Sequence, residues 1–362
     1  MGFWKSACCV VATTIAVVVT SCSSTASLSA SPAQTSSVSP NGAAVSSAKS
    51  GTLTPFKWLF GFRVQAGTSL PIVIAKDQGY YADEGLDLTW DITTDQTSIR
   101  LIATNQYQAG SVSSPGTLID YVQQGLPLRS IGLTSQKSNR VFIVRAGSGI
   151  TRPKDLEGKT VGYKVTVWPE YLAMLASDHV DRSKIKEVSI GTSSVELKQR
   201  SVDMLPGFRG NEPLVLKSQL GVDVSLLDPQ DYGFPPLGTA LIVNTNFIKS
   251  NPDQVTAFLK ATLKGEQFYL ANKAQTLAIA EKYADKDITP AQHEFLYDAT
   301  VVEMNSGLAK TKGIGYQSAD QWQQQINTLF QYGVIKAKPK LEDVFDNTAL
   351  DRSLKDGQLV WP

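Results

Sequence analysis

Cysteine and histidine are nearly missing from this chain of 362 residues, and their scarcity removes whole classes of chemistry. The three cysteines, Cys8, Cys9 and Cys22, all fall within the first 22 residues. Residues 23–362 therefore offer no disulfide, no thiolate nucleophile and no cysteine ligand for zinc. The two histidines, His179 and His293, stand in segments with amphipathic helical spacing and read as ordinary surface or half-buried side chains. No metal and no cofactor are expected. Neither sign of charge is in excess: 34 basic residues face 33 acidic ones, and loss of Lys5 with a leader would leave 33 of each. A neutral chain without a basic run gives no footprint for nucleic acid.

Only one long apolar run is present, at residues 6–20 just after Lys5. It is too short to span a bilayer as a helix but suits the apolar core of a secretory leader, so residues 1–21 are expected to be a signal peptide. The run ends in Val19-Thr20-Ser21-Cys22, which resembles a bacterial lipobox. The resemblance implies cleavage before Cys22 and a lipid on its thiol, anchoring an exported protein at the cell membrane, facing the periplasm or the cell exterior. Residues 22–54 are rich in Ser, Ala and Thr and cannot bury enough apolar surface to fold, so they read as a flexible tether. A chain of that length reaches about 30 Å.

From Phe56 onward strand and helix patterns alternate, the sign of an α/β fold with a largely parallel sheet. "FKWLFGF" opens as a strand, and Leu70, Val73, Ile74 and Tyr81 recur at helical spacing. In "LDLTWDI", Leu86, Leu88, Trp90 and Ile92 alternate with polar residues, as in a strand with one buried face. Further strands are expected at "YQAGSVS", "LRSIGLTS", "VFIVRA", "KTVGYK", "KEVSIG", "SVDML", "VDVSLL" and "TALIVN". Helices follow from Pro252-Asp253 and around 274–284, 290–305 and 319–332. More than three hundred residues exceed one hydrophobic core, yet no linker divides them. Two lobes joined by strand crossovers are expected, crossing at 141–149 and 239–244. Residues 55–144 plus 239–362 would form the first lobe and 145–238 the second.

Three separated runs, "IAKDQGYYADEGLDL", "ITRPKDLEGKTVGYK" and "VDMLPGFRGNEP", resemble the solute-binding proteins of bacterial ABC importers. The likeness extends from Phe56 to about Val344 and points to the branch of thiamine-pyrimidine-precursor, alkanesulfonate and riboflavin binders. "GYKVTVWPEYLAML" with the later "NEP" is most similar to members linked with riboflavin or pyrimidine precursors. The resemblance implies a two-lobed periplasmic-binding-protein type II fold. Each lobe would be a mixed, mainly parallel sheet flanked by helices, with two crossovers as hinge. It also implies a monomer that closes on a small heteroaromatic solute and delivers it to a permease and its ATPase, without chemistry. Alkanesulfonate or nitrate-type binding, a sensing lipoprotein and a pyrimidine-synthase-like enzyme remain alternatives. The last would need a cleft histidine, and the candidate stretches contain none.

Ligands of open α/β sheets lie beyond the carboxyl ends of strands, and four stretches fall at such transitions. "GFRVQAGTS" offers Arg63 and Gln65 as donors, with Thr68 or Ser69 as a helix cap. "SVSSPG" sets Ser113 and Ser114 before a helix start, where exposed amides hold an anion or a carbonyl, or where a serine merely caps. "GYKVTVWPEY" carries Tyr163, Lys164 and Trp168; its rings would stack on an aromatic ligand or pack on the lobe's own core. "PGFRGNEP" places Phe208, Asn211 and Glu212 where an amide and a carboxylate could read an aminopyrimidine or an imide edge, or cap the next helix. Gln136 and Tyr232, the latter in "DPQDYGFPP", complete the candidate set. Gly79 stands where a left-handed helix cap belongs, so Tyr80 and Tyr81 are expected to pack back on the preceding helix and "ADEG" to be a solvated turn.

Overall fold

The computed structural model describes residues 52–361 apart from Thr192 and Pro236. The expected leader, Cys22 and nearly all of the tether lie outside the described residues. Ten strands build two sheets: β1 Thr54–Phe60, β2 Leu86–Ile92, β3 Ala109–Val112, β4 Leu128–Leu133, β5 Arg140–Arg145, β6 Thr160–Tyr163, β7 Lys186–Ser189, β8 Met204–Phe208, β9 Val224–Leu227 and β10 Ala240–Asn244. The first sheet has the order β2-β1-β3-β10-β4 and the second β7-β6-β8-β5-β9. In the first, β10 runs antiparallel to both neighbours while β2, β1, β3 and β4 share a direction. In the second, β5 alone is reversed.

The two reversed strands are the ones that follow each passage between sheets. The chain leaves β4 at Leu133 and enters β5 at Arg140; it leaves β9 at Leu227 and returns as β10 at Ala240. A strand entered directly from the carboxyl edge of another sheet must start at the same edge of its own, and so runs backwards. This topology turns the carboxyl edges of the two sheets toward each other. The first crossing thus lies at 134–139, ahead of the 141–149 expected from sequence, because Val141–Val144 pair with β8 and β9 of the second sheet. Those residues are all buried and apolar, a pattern that suits either sheet. β8 also begins and ends three residues later than expected, and Pro206 and Gly207 pair with β5 instead of breaking the strand.

The helix Pro252–Ala271 packs its buried face on the first sheet and on the helix Leu70–Asp77. Phe258 sits at its centre, stacked on Phe56 at 4.7 Å between centroids and flanked by Trp58 and Tyr81 at 5.6 and 5.8 Å. Tyr81 thereby packs on this later helix, donating to or accepting from Thr262 Oγ1 at 2.8 Å, and Tyr80 meets Trp361 edge-on. Gly79 adopts φ 79°, as its position demands. The following turn is less solvated than expected, since Glu84 pairs with Lys260 of the same helix at 3.1 Å. Ile92 also departs from expectation: it lies beyond the reach of the core and is exposed. Among the described residues no helix is long and apolar enough to cross a membrane.

Glu303, near the end of the helix Pro290–Met304, is only 5% exposed and its backbone carbonyl accepts the Gln136 N–H of the first crossing at 3.1 Å. Burial pushes its carboxyl from 4.5 up to about 8, against the opposing charges of Arg209 and Lys137.

Two outcomes follow. Phe258→Ala should lower the unfolding free energy by roughly 3–5 kcal/mol, read from denaturant midpoints, because three aromatic neighbours lose one partner. Folded Glu303 keeps its proton up to about pH 8 while the unfolded chain releases it near 4.5, so its contribution is full below 4.5 and lost as pH rises to about 8. Glu303→Gln should therefore lose less stability than the parent between pH 5 and pH 8, in paired urea titrations.

Candidate functional site

Where the two carboxyl edges meet, two cavities open side by side. The larger, about 510 Å³, takes its walls from both sheets: Thr94, Asp95, Gln96, Ser113 and Tyr121 from the first, Arg140, Lys164, Val165 and Trp168 from the second. The smaller, about 100 Å³, is lined by Gln65, Thr68, Ser69, Asn139, Asn211 and Leu296. Gly61, Asp95, Ser113 and Phe208 line both, so the cavities are adjoining chambers of one cleft.

Arg140, the first residue of the reversed strand β5, is the charged centre. Its side chain is 5% exposed, and Nη1 donates to Glu170 Oε2 at 3.3 Å while Nη2 donates to Ser113 Oγ at 2.8 Å. Glu170 belongs to the second lobe, in the first turn of the helix Pro169–Ser177, and Ser113 follows β3 of the first. The guanidinium also lies 4.2 Å from the centre of the Trp168 ring, a cation–π contact. Ser113 in turn stands 3.4 Å from Asp95 Oδ2. Burial raises the Asp95 carboxyl above the ordinary range, opposed by the Arg140 charge and the Ser113 hydroxyl. A second contact between lobes runs from Gln96 Nε2 to Thr166 Oγ1 at 3.0 Å.

The loop after β6 is held in a costly shape. The Thr166 N–H donates to the Lys164 carbonyl at 2.7 Å, closing a three-residue turn around Val165, whose φ is 61°. A β-branched residue there stores about 1–3 kcal/mol of strain. The turn directs Val165, 63% exposed, toward the larger cavity. Lys164 Nζ is drawn back to Glu212 Oε1 at 2.7 Å, and the other Glu212 oxygen accepts the Phe208 N–H at 2.7 Å. Trp168 closes the loop, its ring tilted against Phe142 and Phe208 at 5.8 and 5.7 Å. It packs on the second lobe's core and faces the cleft at once.

Of the residues singled out in the sequence, Arg63, Gln65, Ser69, Ser113, Lys164, Trp168, Phe208 and Asn211 line one or both chambers. Arg63 is also engaged outward, with Asp287 at 2.8 Å. Neither Ser69, Ser114 nor Asn211 makes the expected capping bond through its side chain, although each holds the cap position. Ser114 is buried, its hydroxyl has no partner among the described residues, and it lines neither chamber. Glu212 is buried behind Lys164, so the carboxylate expected to read a ring is turned to its own lobe. Tyr163 borders a small recess behind Trp168 instead of the main cleft. Gln136 is bound to the Tyr316 carbonyl and to Gln321, and Tyr232 donates to the Thr151 carbonyl at 3.2 Å; both are away from the chambers. Asp95 and Arg140 also line the cleft and are not among the residues singled out in the sequence. Asp95 was legible, since "ITTDQTS" is a strand end leading into a helix like the four stretches chosen.

Comparison with known proteins finds binding proteins and, over 55–56% of the chain, pyrimidine phosphate synthases. The riboflavin-binding protein RibY of Chloroflexus aurantiacus is 24% identical, over 76% of this chain and 81% of its own length. The formylaminopyrimidine-binding protein of Halalkalibacterium halodurans is 23% identical, over 76% and 85%. Among solved structures, the periplasmic aliphatic sulphonate binding protein SsuA of Escherichia coli superposes with a TM-score of 0.61 at 14% identity, covering 80% of this chain and 91% of that one. A two-lobed α/β binding-protein fold is thus shared across sequences that have diverged widely. The family description NMT1/THI5 like matches residues 67–276, more than half of the sequence, and the chain belongs to that family.

Proposed function

We propose that the protein is the solute-binding component of an ABC-type importer, which encloses a small heteroaromatic solute of the riboflavin or pyrimidine-precursor kind. The observation that carries this reading is the cleft of about 510 Å³ lined by both lobes, with the Trp168 face and the Val165 side chain on one wall and amides and hydroxyls on the other. Its volume is that of a small-molecule site, and its mixture of flat apolar surface and few polar groups suits a ring with hydrogen-bonding edges. The printed names of the two relatives support the same ligand class. A solute touching both walls favours the closed arrangement, and closure is the signal a permease reads. Export and a lipid on Cys22 complete the proposal, with the hinge at 134–139 and 228–239. Neither His179 nor His293 lines the described chambers, which supports binding over a histidine-consuming synthase. The likeness to a sulphonate binder keeps an anionic solute as the second reading, favoured by the Arg140 charge.

Titration calorimetry with riboflavin, formylaminopyrimidine and taurine separates these readings. One of the first two should bind at micromolar concentration; silence from both at millimolar levels would sink the ligand class. Trp168→Ala should weaken the bound heteroaromatic about fivefold or more, since a good stacking pair contributes ~1 kcal/mol. An unchanged affinity would remove Trp168 from the site.

A further inference from the structure

We propose that Asp95 selects the solute, its carboxylate receiving the donor edge of a bound ring and turning anionic solutes away. The inference rests on the reading of the cleft as a heteroaromatic site and adds the group that discriminates within it.

Position comes first. Asp95 opens the helix Asp95–Ala103 at the carboxyl end of β2 and lines both chambers where they join. A ring passing from one chamber to the other must run past it. Its inward pose depends on Gly61, for a Cβ at residue 61 would collide with Asp95 Oδ1 and its Cα. The chain end of β1 is thus shaped to receive this carboxylate.

Accepting capacity comes second. Oδ2 receives one long bond, from Ser113 Oγ at 3.4 Å, and Oδ1 has no partner among the described residues. An ionised carboxylate has about four lone-pair sites, so most of this group's capacity is free for N–H donors. Glu212, by contrast, has both oxygens occupied.

Charge comes third. Arg140 and Lys164 stand against Asp95, Glu170 and Glu212, two positive groups against three negative ones. The Arg140 guanidinium is already shared by Glu170 and Ser113, and the Lys164 ammonium by Glu212. Arg100 and Asp120, on the outer wall of the larger chamber, cancel. Arg63, at the smaller chamber, is paired with Asp287. With the buried partners Glu170, Glu212 and Asp287 counted, the groups around the cleft carry one more negative than positive charge while Asp95 is ionised, and Asp95 is the acidic group that lines both chambers. A sulfonate would meet repulsion there, whereas the amino and imino hydrogens of an aminopyrimidine, or the imide and hydroxyl hydrogens of a flavin, would be accepted.

Acidic residues also favour helix starts, and a role limited to that would leave binding untouched. The test titrates the full chain and its Asp95→Asn variant with riboflavin, formylaminopyrimidine and ethanesulfonate, with thermal melts to confirm folding. Whichever of the first two probes binds the parent should bind Asp95→Asn at least tenfold more weakly, and ethanesulfonate should gain at least fivefold. Gly61→Ala, which displaces the same carboxylate without removing it, should move both affinities the same way. A folded Asp95→Asn variant that binds the donor probe as the parent does overturns the inference. If the parent binds neither donor probe, the ligand reading fails on its own. Ethanesulfonate then decides: unchanged affinity in Asp95→Asn overturns the role of Asp95, and a gain upholds it.

Discussion

A guanidinium buried at the mouth of a cleft has to be matched, and Arg140 draws its partners from both lobes. Taking such a charge out of water is costly, and removing one partner of a buried pair commonly costs about 3–5 kcal/mol. Glu170 supplies the counter-charge from the same lobe, and Ser113 a second acceptor from the other. The arrangement couples charge satisfaction to lobe position: Nη2 has its Ser113 acceptor only when β3 and β5 approach, while Nε has no hydrogen-bond partner among the described residues. It also fixes Trp168, whose ring is clamped between the guanidinium and the side chains of Phe142 and Phe208. The aromatic wall of the cleft therefore depends on an ion pair behind it.

Much of this architecture is written locally. Nine of the ten strands of the two sheets and the long helices fall close to where periodicity places them, β8 lying three residues further on, because alternation and helical spacing report burial directly. The ends of the helices at 290 and 319 are likewise local, each set by a reciprocal capping box, Thr289 with Gln292 and Ser318 with Gln321. What local pattern leaves open is partnership. "RVFIVR" is buried on both faces and could belong to either sheet, and only its pairing with β8 and β9 assigns it. That single ambiguity hides Arg140. Strand-end reasoning looks for ligands after a strand, whereas a reversed strand presents its first residue to the cleft.

The same limit explains the residues whose side chains turned elsewhere. Glu212 and Lys164 are 48 positions apart, and nothing in either stretch announces that they neutralise each other. Gln136 looks like a cleft amide from sequence, but the C-terminal segment at Tyr316 and Gln321, some 180 positions on, claims it. Long-range pairing of polar groups follows from burial, since each hydrogen-bonding atom taken from water needs a partner wherever the chain can supply one. Asp95 is the instructive contrast: its stretch obeys the rule that found the other candidates, and it retains the free oxygen that Glu212 lacks.

The proposed closure has a definable pivot. The two crossings are joined to each other where Thr134 N–H donates to the Thr239 carbonyl and Thr239 N–H to Ser135 Oγ, both at 2.9 Å. Gln136 is then held by Glu303, Tyr316 and Gln321 of the first lobe, while the Asn139 carbonyl accepts the Arg209 N–H of the second at 2.8 Å. Only Lys137 and Ser138 lie between these anchors. On the return path, Tyr232 is bonded to Thr151 in the second lobe, whereas Phe234 is buried in the first lobe's core and the Pro235 carbonyl accepts from Gln325. Between them stands Gly233, at φ 76°. A rotation of one lobe against the other has to be absorbed by a few backbone torsions, and these two short segments lie at the changeover from first-lobe to second-lobe anchors, their own bonds running to the second-lobe side, from Gln230 Nε2 to the Ser138 carbonyl at 3.5 Å and from the Gly233 N–H to the Pro229 carbonyl. Val165 and Trp168 belong to the second lobe and line the larger chamber, so a turn at these segments would carry them against the first lobe's wall, where the solute would be met.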